Sequence, residues 1–176
     1  MSVETLLALA ATELGVQESP PGSNRGPRVE QYQKLAGSVP GAAWCGSFVV
    51  WCFRKAGLPL LGRDTWQLNA ARAWFTKGRR ISANEARPGD VFGVKFGLHG
   101  EIRHVGLVVS VTSERIVTIE GNSNTNGSRE GTAVISKTRH KAGLVFARWI
   151  QIPENSNEKD ASSSKTVLTN SLESAG

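Results

Sequence analysis

The chain has 176 residues, 39% of them hydrophobic and 20% charged. That is enough for one domain with a substantial core and too few for two ordinary ones, and no apolar run approaches the ~18 residues that cross a membrane. The net charge is +6; residues 1–152 hold 19 Lys and Arg against 11 Asp and Glu, or +8. A basic domain suits an anionic partner such as nucleic acid, a membrane surface or cell wall, and suits solubility equally well. Apart from Lys77, Arg79 and Arg80 the cations are scattered. No zinc-finger or RNA-binding signature accompanies them, so no nucleic-acid partner is expected.

The N-terminal stretch MSVETLLALAATELGV lacks a basic start and carries Glu4 and Glu13. Leu6, Leu7, Leu9, Ala10 and Leu14 fall near helical spacing, which predicts an amphipathic helix over 3–14 and not a signal peptide. ESPPGSNRGP (18–27) is broken by prolines and glycines. A short helix over 29–35 follows. Residues 44–56 are apolar on nearly every side until Arg54 and Lys55, the pattern of a buried helix. Gly57 and Pro59 mark its end. DTWQLNAARAWFTKG (64–78) also reads as helical. From Asp90 the character changes to short β-branched runs separated by Gly, Ser and Asn: DVFGVKF, HVGLVVSV, RIVTIEGN, TAVISKT and LVFARWI. Helices followed by an antiparallel sheet predict an α+β fold. The serine-rich residues 153–176 read as a disordered tail.

Both cysteines sit in the 44–56 helix. Seven residues at 1.5 Å each separate their Cα atoms by roughly 10.5 Å, beyond the ~7 Å limit for a disulfide. No C-x-x-C pair offers a zinc site. Either both are core residues, or one reacts. Cys52 is in the helix middle, where a buried cysteine is inert. Cys45 is in the first turn, where free N–H groups and the helix dipole favour a thiolate.

A reactive cysteine needs a base. Of three histidines, His99 and His140 read as exposed loop residues, whereas His104 opens a predicted strand. In RIVTIEGN, alternation puts Val117 and Ile119 on one face and Thr118, Glu120 and Asn122 on the other. Glu120 is then able to accept from the second imidazole nitrogen. His104 and Glu120 must share a face. A two-residue hairpin loop at Ser113-Glu114 would put them on opposite faces, so a three-residue loop or a bulge is expected between Val108 and Ile119.

W-C-G-S-F-V, R-H-V-G and I-E-G-N, in this order and spacing, resemble the CHAP family of cysteine amidohydrolases and peptidases, which cut peptidoglycan. The resemblance spans roughly residues 5–150. It implies a papain-like fold with N-terminal helices packed on the sheet, over a catalytic domain at 1–152. By resemblance Cys45 is the nucleophile, His104 the base, Glu120 the group that orients the imidazole and Asn122 a fourth polar member. It also implies that ESPPGSNRG lines the cleft, with Asn24 and Trp44 at the substrate. Some members bind calcium through an aspartate-rich loop before the cysteine. Here residues 15–44 offer only Glu18 and Glu30 as carboxylates, so no metal and no cofactor are expected. The expected protein is a monomer that acts on the cell wall after release or export, as a phage lysis enzyme or an antibacterial toxin. A non-catalytic wall-binding module of the same fold, or an amidase on a non-wall substrate, are the alternatives.

Overall fold

The computed structural model describes residues 2–60, 65–125 and 131–150; the expected tail over 153–176 lies outside them. Among these described residues four helices precede a six-stranded antiparallel sheet, the α+β order read from the sequence. The helices are α1 (Val3–Thr12), α2 (Pro27–Ala36), α3 (Cys45–Lys55) and α4 (Ala73–Lys77). The strands are β1 (Arg79–Ile81), β2 (Val91–Phe96), β3 (Glu101–Val111), β4 (Arg115–Ser123), β5 (Ala133–His140) and β6 (Leu144–Arg148), arranged β1-β6-β2-β3-β4-β5. No helix among the described residues is long and apolar enough to cross a membrane.

The cysteine helix is the centre of the core. Every residue from Cys45 to Phe53 is buried. Phe48 and Phe53 are fully buried, and α3 packs against α1, α2, β3 and β4. Burying one such ring contributes about 1.5–3 kcal/mol. Two glycines let backbone approach this helix. A Cβ on Gly46 would strike the carbonyls of Leu68 and Asn69, and one on Gly121 would strike Phe48 and Trp44. The helix ends as its sequence predicts. Gly57 has φ +68°, and the Leu58 N–H returns to the Phe53 carbonyl at 2.9 Å.

Several boundaries differ from the sequence reading. α1 stops at Thr12, two residues early, and Leu14 is 45% exposed. α2 starts two residues early because Pro27, with no N–H to lose, takes its first turn. The stretch 64–78 divides into a 3-10 turn (Thr65–Asn69) and α4. Side chains hold that break: Ser47 Oγ donates to Asn69 Oδ1 at 2.8 Å, and Trp74 Nε1 donates to the Leu68 carbonyl at 2.7 Å. β1 was not read from the sequence; three basic and apolar residues carry no periodicity, and pairing with β6 defines the strand.

The sheet has two differently covered faces. Val91, Val105, Leu107, Ile119 and Val134 join the helix-side core. Phe92, Val108, Ile116 and Phe146 form a smaller cluster on the other face, closed by Ala86. The β3–β4 hairpin shows the expected irregularity. Ser110 opposes Val117, but Val108 opposes Thr118, so Val109 is an extra residue. This bulge changes the register between the turn and the site, and it places His104 and Glu120 on one face.

Candidate active site

Cys45 is the first residue of α3 and 5% exposed. Its own N–H, in the first turn, has no carbonyl within the helix to bond. His104 stands on β3, but it does not open the strand as the sequence suggested. β3 begins three residues earlier at Glu101, because the β2–β3 pairing continues to a turn with Gly97 and Gly100 at positive φ. The register shifts there between His104 and Ile102. His99 is exposed in that turn, and His140 is exposed at the end of β5 rather than in a loop.

The imidazole Nε2 lies 2.8 Å from Glu120 Oε2, and the ring packs edge-on to Phe92 at 6.4 Å. With Nε2 held by the carboxylate, Nδ1 is the nitrogen left for the thiol. Burial alone pushes the Cys45 thiol up. The His104 hydrogen bond and charge, with the N–H groups of Val105 and Gly46, outweigh burial and hold it below its ordinary value. Burial likewise pushes the imidazole down, but bonding to Cys45 and Glu120 outweighs this and brings it up to about 9. Both shifts favour the same species, a thiolate beside an imidazolium.

Glu120 is completely buried. Besides His104 it accepts from Thr118 Oγ1 at 2.6 Å and Ser123 Oγ at 2.9 Å. Arg139 grips it with two prongs, Nε to Oε1 at 2.6 Å and Nη2 to Oε2 at 2.7 Å. Burial would raise the carboxyl, but the Arg139 bonds, then His104, hold it well below the usual carboxylate range. The sequence reading did not single out Arg139. Its only signal is alternation: on β5, Lys137 and Arg139 oppose Thr118 and Ile116 and so share the face of Glu120.

Asn122, expected as a fourth polar member of the site, lines the cleft with Cys45 and His104. The β4–β5 register shifts between Glu120 and Ser123, and Asn122 adopts φ +53°. With its amide oriented to suit both neighbours, Asn122 accepts from the Trp44 N–H at 3.1 Å and donates to the Gly131 carbonyl at 2.5 Å. It therefore ties β4 to the residue before the cysteine. Trp44, expected at the substrate, is fully buried: its Nε1 donates to Glu18 at 2.8 Å and its ring stacks on Tyr32. Asn24 does not line the cleft either. Its carbonyl accepts from buried Gln33 at 2.9 Å, and Gln33 also donates to the Ala42 carbonyl at 2.8 Å. The segment expected to line the cleft instead buttresses the loop that enters α3, with Gly41 against Arg25.

A cleft of about 710 Å³ opens over the site, lined by Cys45, His104, Asn122 and the cations Arg103, Lys137 and Arg139, among others. Among the described residues no three His, Cys, Asp or Glu side chains gather where they would hold a metal.

No curated protein matches this chain. Among solved structures it is similar to a Staphylococcus aureus subsp. aureus Mu50 protein described as similar to lipoprotein, NLP/P60 family. The identity is 17%, covering 75% of this chain and 35% of that one, with a TM-score of 0.41. It is also similar to Ly7917, at 14% identity over 84% of this chain and 62% of that one, TM-score 0.40. The same protein with the hydrolysing product of MDP matches at 13% identity over 83% and 62%, TM-score 0.40. The chain thus spans less than two thirds of the length of each of these proteins. The family model for the CHAP domain matches residues 37–122, a range that begins just before α3 and ends just past Glu120. This segment, which holds the cysteine helix and both strands that face it across the cleft, is the part of the chain that matches the CHAP domain.

Proposed function

We propose that the protein is a cysteine-dependent hydrolase that cuts an amide bond of the cell-wall peptide, as an amidase or endopeptidase. The observation that carries this reading is the relay at the cleft, in which buried Glu120 holds His104 Nε2 at 2.8 Å and His104 bonds the Cys45 thiol at a helix N-terminus.

The chemistry follows from those positions. The Cys45 thiolate attacks the carbonyl carbon, a C–S bond forms, and the C=O electron pair moves to oxygen. The free Cys45 N–H is placed to donate to that oxyanion. When the oxyanion collapses, the C–N bond breaks and the His104 imidazolium protonates the leaving amine. Neutral His104 then takes a proton from water, whose oxygen attacks the thioester. The C–S bond breaks, the acid leaves, and thiolate and imidazolium are restored. Glu120 stabilises the imidazolium at each stage that carries it.

Peptidoglycan as substrate rests on the CHAP assignment together with the basic domain, which suits an anionic polymer. Work at the wall after release or export, as a lysis enzyme or an antibacterial toxin, is part of the same reading. Purified sacculi incubated with the protein should release soluble muropeptides, whereas the Cys45→Ala protein should release none. Equal release by both, or by neither, would overturn the reading; mass spectrometry of the products identifies the bond.

A further inference from the structure

Glu120 poses a problem that His104 does not solve. A carboxylate with no exposure is strongly disfavoured as an anion unless charge and hydrogen bonds replace its lost water. A neutral Glu120 would offer an imidazolium far weaker support. Thr118 and Ser123 are neutral donors. His104 is a cation only for part of the cycle, since it loses its proton to the leaving amine. The one permanent charge on the carboxylate is the Arg139 guanidinium, bound through both carboxylate oxygens. A guanidinium stays protonated throughout the working pH range, and its planar fork fixes the carboxylate plane as well as its charge. Arg139 is itself held, 5.5 Å over the Phe92 ring that also packs on His104.

We propose that Arg139 is a positioning residue of the site: it keeps Glu120 an ionised acceptor aimed at His104 Nε2, and so sets the pH at which the Cys45–His104 pair becomes reactive. The proposal rests on the hydrolase reading above only in its use of Cys45 as nucleophile, and its test does not need the wall. The charged and titratable groups facing the pair among the described residues are few. α3 contributes Cys45, β3 contributes Arg103 and His104, β4 contributes Glu120, and β5 contributes Lys137 and Arg139; β2 presents Phe92 and Val94. Arg103 is exposed and paired with Glu101, and Lys137 donates to the Asn124 carbonyl at 2.7 Å.

Removing a fixed positive charge raises every pKa near it, because each neighbour then loses its proton less readily. The rate of Cys45 alkylation by iodoacetamide, followed against pH by mass spectrometry, reads this directly. In Arg139→Met the rising limb of that profile should move up by at least about half a pH unit. Turnover of sacculi at pH 7 should fall at least about tenfold. Arg139→Lys restores the charge without the fork. Its limb should return close to the wild-type position while turnover stays reduced. Arg148→Met is the control, because Arg148 grips buried Asp90 in the same two-pronged way, at 2.9 and 2.8 Å, away from the cleft. It should lower the melting temperature and leave the limb in place. An unmoved limb in folded Arg139→Met would overturn the proposal, and so would an equal shift in Arg148→Met. If the Met variant does not fold, Arg139→Gln carries the same test. If neither folds, Arg139 is a structural residue and the proposal fails. Alkylation that behaves as expected in a protein unable to digest sacculi would overturn the substrate reading and leave this proposal standing.

Discussion

Two cysteines stand seven residues apart on one helix, and the helix treats them in opposite ways. Both are buried, so burial alone would push both thiols up. Cys52, two turns in, is fully buried in the helix-side core; burial first, then the charge of Glu13, drives its thiol well above the ordinary value. Cys45 meets free N–H groups, the positive end of the helix and His104, and its thiol falls. The lesson is that the ease with which a thiol ionises depends on what faces it as well as on its depth in the core.

The largest expected effect separates the two by substitution. Cys45→Ala should abolish hydrolysis while leaving the melting temperature within a few degrees of wild type. Cys52→Ala should keep turnover near wild type and cost about 1–2 kcal/mol of stability through the small cavity it leaves. Denaturant unfolding together with sacculus turbidity measures both. A Cys52 variant that folds but is inactive would break the comparison.

His104→Ala should come next, lowering turnover by about 10²–10⁴. It should also erase the preference of a limiting dose of iodoacetamide for Cys45 over Cys52 in the folded protein. Circular dichroism should show an intact fold, since His104 sits at the cleft and not in the helix-side core. A preserved labelling preference would mean that the helix N-terminus alone activates the thiol.

Glu120→Gln should cut turnover less, about 10–100-fold, because Gln still accepts from His104 but brings no charge. The four donors around this carboxylate add a second expectation. Gln cannot satisfy both prongs of Arg139, so the melting temperature should also fall, measurably more than for His104→Ala. Full activity with unchanged stability would remove Glu120 from the relay.

The smallest effect is the pH profile, and its sign follows from the two shifts. The reactive form needs Cys45 deprotonated and His104 protonated. With the thiol lowered and the imidazole raised to about 9, the pH range in which this form exists is widened on both sides. The acid limb of turnover should therefore lie below that of an ordinary thiol, and turnover should fall as pH rises through about 9 and the imidazolium loses its proton. A profile that instead rises up to pH 9 would mean an ordinary thiol at Cys45.

Much of this site was legible along the chain, because the relevant signals are local. The apolar run 44–56 with Arg54, Lys55 and Gly57 specifies a buried helix and its end, and so places one cysteine in the first turn and the other in the middle. The β-branched runs after Asp90 fix the strands. Their parity alone demanded an irregular hairpin if His104 and Glu120 were to share a face, and the Val109 bulge supplies it. What the tertiary structure decided depends on partners distant in sequence. Arg139 reaches Glu120 across 19 residues, diagonally over a strand pair, and only the register determines which side chains lie within reach. Trp44 is expected at the substrate from the family resemblance, yet α2 and Glu18 close over its ring. Alternation puts Asn122 on the face of Glu120, and positive φ at that position turns its amide to the Trp44 N–H and the Gly131 carbonyl. The sequence determined most of the elements, β1 and the break within 64–78 excepted, and which groups are chemically suited to the site. Packing determined which of them meet, because direction and burial belong to surfaces that no single segment contains.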